Sequence, residues 1–378
     1  MITKRRLALL SSLTTAPAFA APFLAIGNNA ELFLTARTEV RYEDNITFSS
    51  QNELEDEVFE VSPGAEIIFG KNSLVKGSFS YVERITSYSD YNDLNSNLSN
   101  LVFATRYDGA RLDLDADASF RELNQNTRDV RNAATLVRRD VYSAGVEGEY
   151  ALTAKSKVAL GAKYHRTQYK VAGFNDQTHY TIPANYYFAI TEKVDLSAGF
   201  QYRKRDVDNV TGANSDSDEY YFNVGARGEF TAKLSGKFNV GYLLRDPEAA
   251  GADDDKTIGV RAGLIYAYSP KTRFTLDLSN DFETGSDARG NETASITLGA
   301  NTSLTAAWSV GATIGYSKID YLSINREDDY FVGGVSVTYV YNEHVNFQAG
   351  YSINDNSSDL ASAEFTANVV RIAANFRY

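Results

Sequence analysis

Asp113, Asp115 and Asp117 alternate within the stretch RLDLDADASFR, and Arg106, Arg111 and Arg121 lie close by in the chain. Carboxylates at such spacing suggest a divalent-cation site. An EF-hand loop, however, also needs a glycine turn and a bidentate glutamate. Here the acids fall on a strand pattern and share one face, which points to a ladder of acids opposite arginines. His165, His179 and His344 are the only histidines, and each is placed on a different hairpin. A hydrolase built on such residues needs a His beside Ser or Asp at the rim; only His179, near the outer end of its strand, could serve, and one such His is more often a bystander than a base. Cysteine is absent, which excludes a disulfide framework, a thiol nucleophile and a thiolate metal site. The expectation is no enzyme, no cofactor and no metal.

The elements that position these residues are strands. In Leu101–Arg121, Leu101, Phe103, Thr105 and Tyr107 share one parity. Leu112, Leu114, Ala116, Ala118 and Phe120 share another, with charged or polar residues between them. A period of two over this length is a β-strand with one apolar and one polar face. Asp108-Gly109 is predicted to join the two runs as a two-residue hairpin turn with positive φ at both positions. Nearly the whole chain repeats the pattern, so the apolar faces need a cover. Lipid is the expected one.

Composition agrees. The 378 residues are 43% hydrophobic, with 25 Tyr and 21 Phe against one Trp and six Pro. The mean hydropathy is −0.33. No run approaches the ~18 apolar residues of a transmembrane helix. That is compatible with a membrane barrel, whose alternating strands average out in hydropathy. Lys4, Arg5 and Arg6, then Leu7–Leu10, then Ala18-Phe19-Ala20 have the order of an export signal with cleavage after Ala20. Its removal takes three basic and no acidic residues, moving the net charge from −12 to −15. That balance argues against nucleic acid as a partner.

From Glu31 onward, alternating runs count to about eighteen strands. The short turns carry a repeat: Leu152-Thr153-Ala154-Lys155, Ile190-Thr191-Glu192-Lys193, Phe230-Thr231-Ala232-Lys233 and Tyr268-Ser269-Pro270-Lys271 share a shape. Leu304–Ala307 and Tyr341–His344 are weaker copies. Two long strands fill each period, where a β-propeller blade would use four short ones. Short and long connections are expected to alternate strictly, the long ones polar and acidic. This is the asymmetry of an outer-membrane barrel with short periplasmic turns. Pro63 is expected to mark a bulge. The predicted fold is an all-β, transmembrane, antiparallel up-and-down β-barrel of about 18 strands with both termini periplasmic. The predicted organisation is a signal at 1–20, a short segment at 21–30 and the barrel at 31–378. The location is the outer membrane of a Gram-negative-type bacterium.

The chain ends VRIAANFRY, with apolar residues alternating up to the aromatic Tyr378. This resembles the C-terminal signal of bacterial outer-membrane barrels, in which Phe376 and Tyr378 would be read by the barrel assembly machinery. Near the start, Tyr42-Glu43-Asp44-Asn45-Ile46 and Ser62-Pro63-Gly64 resemble the opening of the β-barrel porin family associated with exopolysaccharide-export systems. Asp44-Asn45 reads either as a mark of function or as a loop-entry Asx turn. The resemblance implies a pore for small solutes or for an extruded polymer, with polysaccharide-export components as partners.

Parity assigns Arg37, Arg84, Arg106, Arg111, Asp113, Asp115, Asp117, Arg121, Glu147, Lys163, Arg227, Lys237 and Arg261 to the lumen. Glu149, Asp277 and Arg371 share that assignment. Gly161, Gly199, Gly225, Gly263, Gly299, Gly311 and Gly350 are expected to leave space along the wall. A wall of both signs implies weak ion preference, and the acidic loops could hold divalent cations beside lipopolysaccharide. Glu122–Arg138 could fold inward as a constriction. The leading expectation is a hydrated, charged channel. The alternative is an occluded surface, assembly or adhesion component acting through its acidic loops.

Overall fold

Period-two alternation is realised in eighteen long strands, preceded by one short one. The computed structural model describes residues 21–130, 135–208, 215–249 and 251–378. The expected export signal, residues 1–20, lies outside the described residues. The short strand is β1 (Leu24–Ile26), followed by β2 (Ala30–Glu43), β3 (Asp56–Phe69), β4 (Val75–Tyr88), β5 (Ser96–Asp108), β6 (Leu112–Asn124) and β7 (Arg138–Ala151). Next come β8 (Ser156–Tyr169), β9 (Asp176–Ala189), β10 (Val194–Asp208), β11 (Ser217–Glu229), β12 (Leu234–Pro247) and β13 (Asp255–Ala267). The last are β14 (Thr272–Thr284), β15 (Gly290–Ser303), β16 (Trp308–Tyr321), β17 (Glu327–Val340), β18 (Val345–Ser358) and β19 (Phe365–Arg377). Each long strand pairs antiparallel with its sequence neighbours, and β19 pairs with β2, closing the ring. Closure leaves no open sheet edge, as a wall surrounded by lipid requires. The short β1 pairs with the start of β2, beyond the point where Tyr378 exchanges backbone hydrogen bonds with Leu34. Both ends of the described chain therefore lie at the short-turn end.

One parity of each strand forms the outer wall. Val40 and Phe59, which face each other across β2 and β3, are half-exposed, as are Leu160, Val224, Ile314 and Ile372. Tyrosines band this wall near the long-loop end. The hydroxyls of Tyr42, Tyr202 and Tyr351 donate to Glu55, Asp218 and Asn368, each at 2.6 Å. Such a ring suits a boundary where one end of the side chain is apolar and the other wet.

The repeated turns have one physical cause. In each, the second residue's side-chain oxygen accepts backbone N–H groups two and three residues on. Thr153, Thr191, Thr231, Ser269 and Thr305 do so with a hydroxyl. Asn342 does so with its amide oxygen, so the sequence-divergent copy is geometrically the same turn.

Several expectations change. Neither Asp108 nor Gly109 has positive φ. The hairpin instead closes with Gly109 N–H donating to the Leu112 carbonyl, which moves the tip to Ala110-Arg111. Pro63 marks no bulge, because β3–β4 pairing resumes in the same register on both sides of it. Pro183 likewise interrupts β8–β9 without a shift. A ring nitrogen without a proton removes local ladder contacts on one side only. Connection lengths do not alternate strictly: residues 285–289 and 322–326, at the long-loop end, are no longer than the short-end turn 70–74. Finally, β14 leaves β13 after Asn280, and Phe282, whose parity matches the outer face, rolls inward onto Tyr221 and Leu243.

Candidate functional site

The inward parity lines a lumen whose charged side chains are mostly held by one another. On β2–β4, Arg41 meets Glu39, Glu43 and Glu60, Arg37 meets Glu39, and Arg84 lies 3.6 Å from Glu60. On β5 and β6, Arg106 meets Asp108 and Asp115. Farther round, Arg227 on β11 grips Glu149 on β7 with two bonds of 2.8 and 3.1 Å and also bonds Asp195 at 3.0 Å. Its guanidinium lies 3.4 Å from the Tyr187 ring centre. Three strands separate β7 from β11, so this grip requires the sheet to curl tightly there. Arg203 on β10 reaches Asp281 on β14 at 2.7 Å, and Arg261 joins the same carboxylate at 2.7 Å. Arg205 and Glu219, both buried, pair at 2.6 Å.

The wall formed by β15–β18 differs. Its inward residues are Ser, Thr, Asn, Gln, Gly and a few apolar groups, and its one acid, Asp328, lies at the long-loop rim. Ser295 and Ser317 share a hydrogen bond of 2.7 Å, and Tyr330 donates to Asn354 at 3.0 Å. Between the two walls is a recess of about 280 Å³ lined by Lys237, Arg261, Ala262, Gly263, Asp277, Leu278, Ser279, Ser295 and Thr297.

The long-loop mouth is covered. Ile46, Val58, Tyr88, Leu94 and Leu136 form an apolar core from three loops and two strand tops. Asn126 stitches it, donating to the Thr47 carbonyl at 2.8 Å and accepting from Val137 N–H. Arg128 reaches the Tyr330 ring on β17, while the Asp129 carbonyl accepts from Ser286 between β14 and β15. In the ring, β6 and β14 lie eight places apart, so this loop crosses the mouth. Burial pushes the Asp129 carboxyl above the usual carboxylate range, against the opposing pull of Arg128. The inward turn expected of Glu122–Arg138 is thus seen in its described part, 122–130 and 135–138.

Of the residues predicted to line the lumen, all lie on inward positions except Arg111, which sits exposed in the turn before β6. The acid ladder is only half matched. Asp113 and Asp115 face Glu149 and Glu147 across β7, a like-charge arrangement that the sequence reading missed. Among the described residues Asp113, Asp115 and Asp117 belong to no group fit for a metal. Arg121, Lys163 and Lys237 are exposed to the lumen with no ion pair among the described residues. His165 and His179 do not fall on different hairpins. They face each other across β8 and β9 with ring centres 5.8 Å apart, and Ser143 lies 2.9 Å from His165.

Two of the inward glycines do not leave open space. A Cβ at Gly199 would meet Asn185 at 2.3 Å, and one at Gly225 would meet Asn239 at 2.2 Å. These glycines make room for neighbouring side chains on the curled side. Asp44 and Asn45 bind the first loop to β19, Asp44 through Asn368 at 2.6 Å and Asn45 through the Thr366 carbonyl at 3.0 Å. These are not the two-residue bonds of an Asx turn: Asn45 Oδ1 accepts from Ser49 N–H, four residues on, and the pair holds the loop across the seam. Phe376 lies on the outer face of β19, and the Tyr378 ring packs 5.0 Å from His344 and 6.1 Å from Phe23.

Solved barrels share this architecture. The improved crystal structure of Pseudomonas aeruginosa OccK1 (OpdK) matches with a TM-score of 0.51 at 11% identity, covering 92% of this chain and 98% of that one. The structure of Pseudomonas aeruginosa OpdK with vanillate matches at 0.50 and 10% identity, covering 92% and 98%. No curated protein matches the sequence. The family model described as "Putative beta-barrel porin 2" matches residues 22–378, so this eighteen-stranded outer-membrane barrel belongs to that family.

Proposed function

We propose that this outer-membrane porin passes small hydrated solutes, or the units of an extruded polysaccharide, along the neutral β15–β18 wall of its lumen. One observation carries the reading. Most charged side chains of β2–β14 are tied to one another, Arg121, Lys163, Lys237 and Asp277 being exceptions, whereas β15–β18 present small hydroxyl and amide groups to the interior. Diffusion through a hydrated channel needs no cofactor and no catalytic group. Short turns and both termini face the periplasm in this reading. The outer wall contacts lipid and lipopolysaccharide, and Phe376 and Tyr378 form the signal read by the barrel assembly machinery.

Purified barrel in a planar bilayer should give discrete conductance steps with slight ion selectivity, because both signs line the wall and salt screens each over ~8–10 Å. For polymer passage, an oligosaccharide should block the current, and Arg84→Ala or Arg106→Ala should weaken that block. A tag between Gly251 and Ala252 should be stained on intact cells, and one between Ala306 and Ala307 only after the outer membrane is opened.

The covered mouth favours a second reading, an occluded surface component acting through its loops. Its apolar core of Ile46, Val58, Tyr88, Leu94 and Leu136 is the supporting feature. A folded, inserted barrel that never conducts would select this alternative.

A further inference from the structure

We infer that the recess across β12–β15 is a binding site for a hydroxylated carboxylate, with a sugar acid as the chemistry that fits. The recess holds about 280 Å³, the volume of roughly nine waters. Strand register orders its lining into two rows. One runs Lys237, Gly263, Asp277, Thr297 across four strands. The other runs Arg261, Ser279, Ser295 beside it. Each row begins with a cation, and the acid and hydroxyls follow.

The two cations differ in how they are held. Arg261 is fixed by Gln201 and Asp281, each at 2.7 Å, with its guanidinium 4.7 Å from the Tyr221 ring centre. Lys237 is exposed and has no ion pair among the described residues. It is the group available to a carboxylate, while the Arg261 guanidinium beside it is held by Asp281 and keeps the row in place. Asp277 likewise has no ion pair among the described residues, and its carboxylate can only accept hydrogen bonds. Ser279 and Thr297 can donate or accept, and Ser295 is oriented by Ser317 at 2.7 Å.

This combination selects among ligands. A bare anion satisfies Lys237 but is repelled by Asp277. A neutral sugar satisfies Asp277 and the hydroxyls but leaves Lys237 without a counter-charge. A molecule with a carboxylate at one end and hydroxyls along its length satisfies both. Specificity then comes from mismatched groups as much as from matched ones.

The inference rests on the pore reading for its use, since passage would bring solute past the recess. Its test reads binding and does not require conductance. D-glucuronate, glucose and acetate are titrated separately against the barrel in lipid nanodiscs, with folding checked by heat-modifiable mobility. Glucuronate should bind about tenfold tighter than either of the others, a difference of ~1.4 kcal/mol. Lys237→Gln should remove most of that advantage, and Lys237→Arg should restore it. Asp277→Asn should narrow the gap between glucuronate and acetate. Acetate binding as tightly as glucuronate overturns the site, as does a folded Lys237→Gln barrel that binds glucuronate like the parent. If Lys237→Gln fails to fold, Ser279→Val with Thr297→Val decides, and unchanged glucuronate affinity there also overturns it. Conduction without glucuronate binding would refute the site and leave the pore. Binding without conduction would refute the pore and leave the site.

Discussion

The curled, charged side of the lumen and the neutral side solve different problems with the same strand geometry. Between β7 and β14, long side chains bridge strands that are not neighbours, as Arg227 does to Glu149 and Arg203 to Asp281. These bridges hold the curvature, and they also occupy the interior. Between β15 and β18, Thr313, Ser317, Ser336 and Ser352 stop close to the wall and leave room for water. A lumen can thus be mixed in charge overall while one wall of it carries almost no charge. Counting inward charges from the sequence cannot show this, because the count ignores which charges are already engaged.

The largest expected effect tests whether the two sides meet the same surroundings outside. Leu160→Arg on the charged side and Ile314→Arg on the neutral side each place a cation on a lipid-facing position exposed by 64% and 57%. Each should cost about 2–4 kcal/mol. A much larger loss for one alone would mean that side is covered by protein. Urea unfolding in lipid vesicles measures both.

Inside, the sides should part. Arg227→Ala leaves Glu149, only 3% exposed, still paired with Lys157, and should cost about 2 kcal/mol after allowance for lumen water. Thr313→Ala on the neutral side should stay within about 0.5 kcal/mol. Equal costs would break the comparison.

Turns should be indifferent to side. Thr191→Ala and Thr305→Ala each remove a hydroxyl that accepts two backbone N–H groups and should each cost about 1 kcal/mol. Asn at either position should recover most of it, as Asn342 already shows the amide oxygen in that role.

The smallest effect bears on passage. Ser336 lies opposite Gly311 and Gly350, so Ser336→Trp introduces bulk on the neutral wall. Single-channel conductance should fall about twofold. An unchanged conductance would move the passage to the charged side.

Much of this was legible in the chain. The facing of Leu114 against Asp115, the strand number and the closing role of the last strand all follow from period-two alternation, which survives because a one-residue slip would turn every apolar side chain into the lumen. The repeated Thr-x-Lys turns were visible as a pattern, although their hydrogen bonds were not. What escaped was relational. His165 and His179 are separated by a loop whose length hides that they face each other. Phe282 has outward parity and stays paired with β15, but β14 has parted from β13 there, and its side chain turns to the apolar seat of Tyr221 and Leu243 inside.

Sequence alone determined the barrel, its outer and inner faces and the residues that could line a channel, because alternation and turn chemistry are local. Tertiary structure decided which charges cancel, where the sheet curls, that a loop from one side crosses the mouth and that Lys237 and Asp277 share a recess. Those outcomes depend on contacts between strands far apart in the chain. Closure of the ring sets those distances, and no local pattern encodes them.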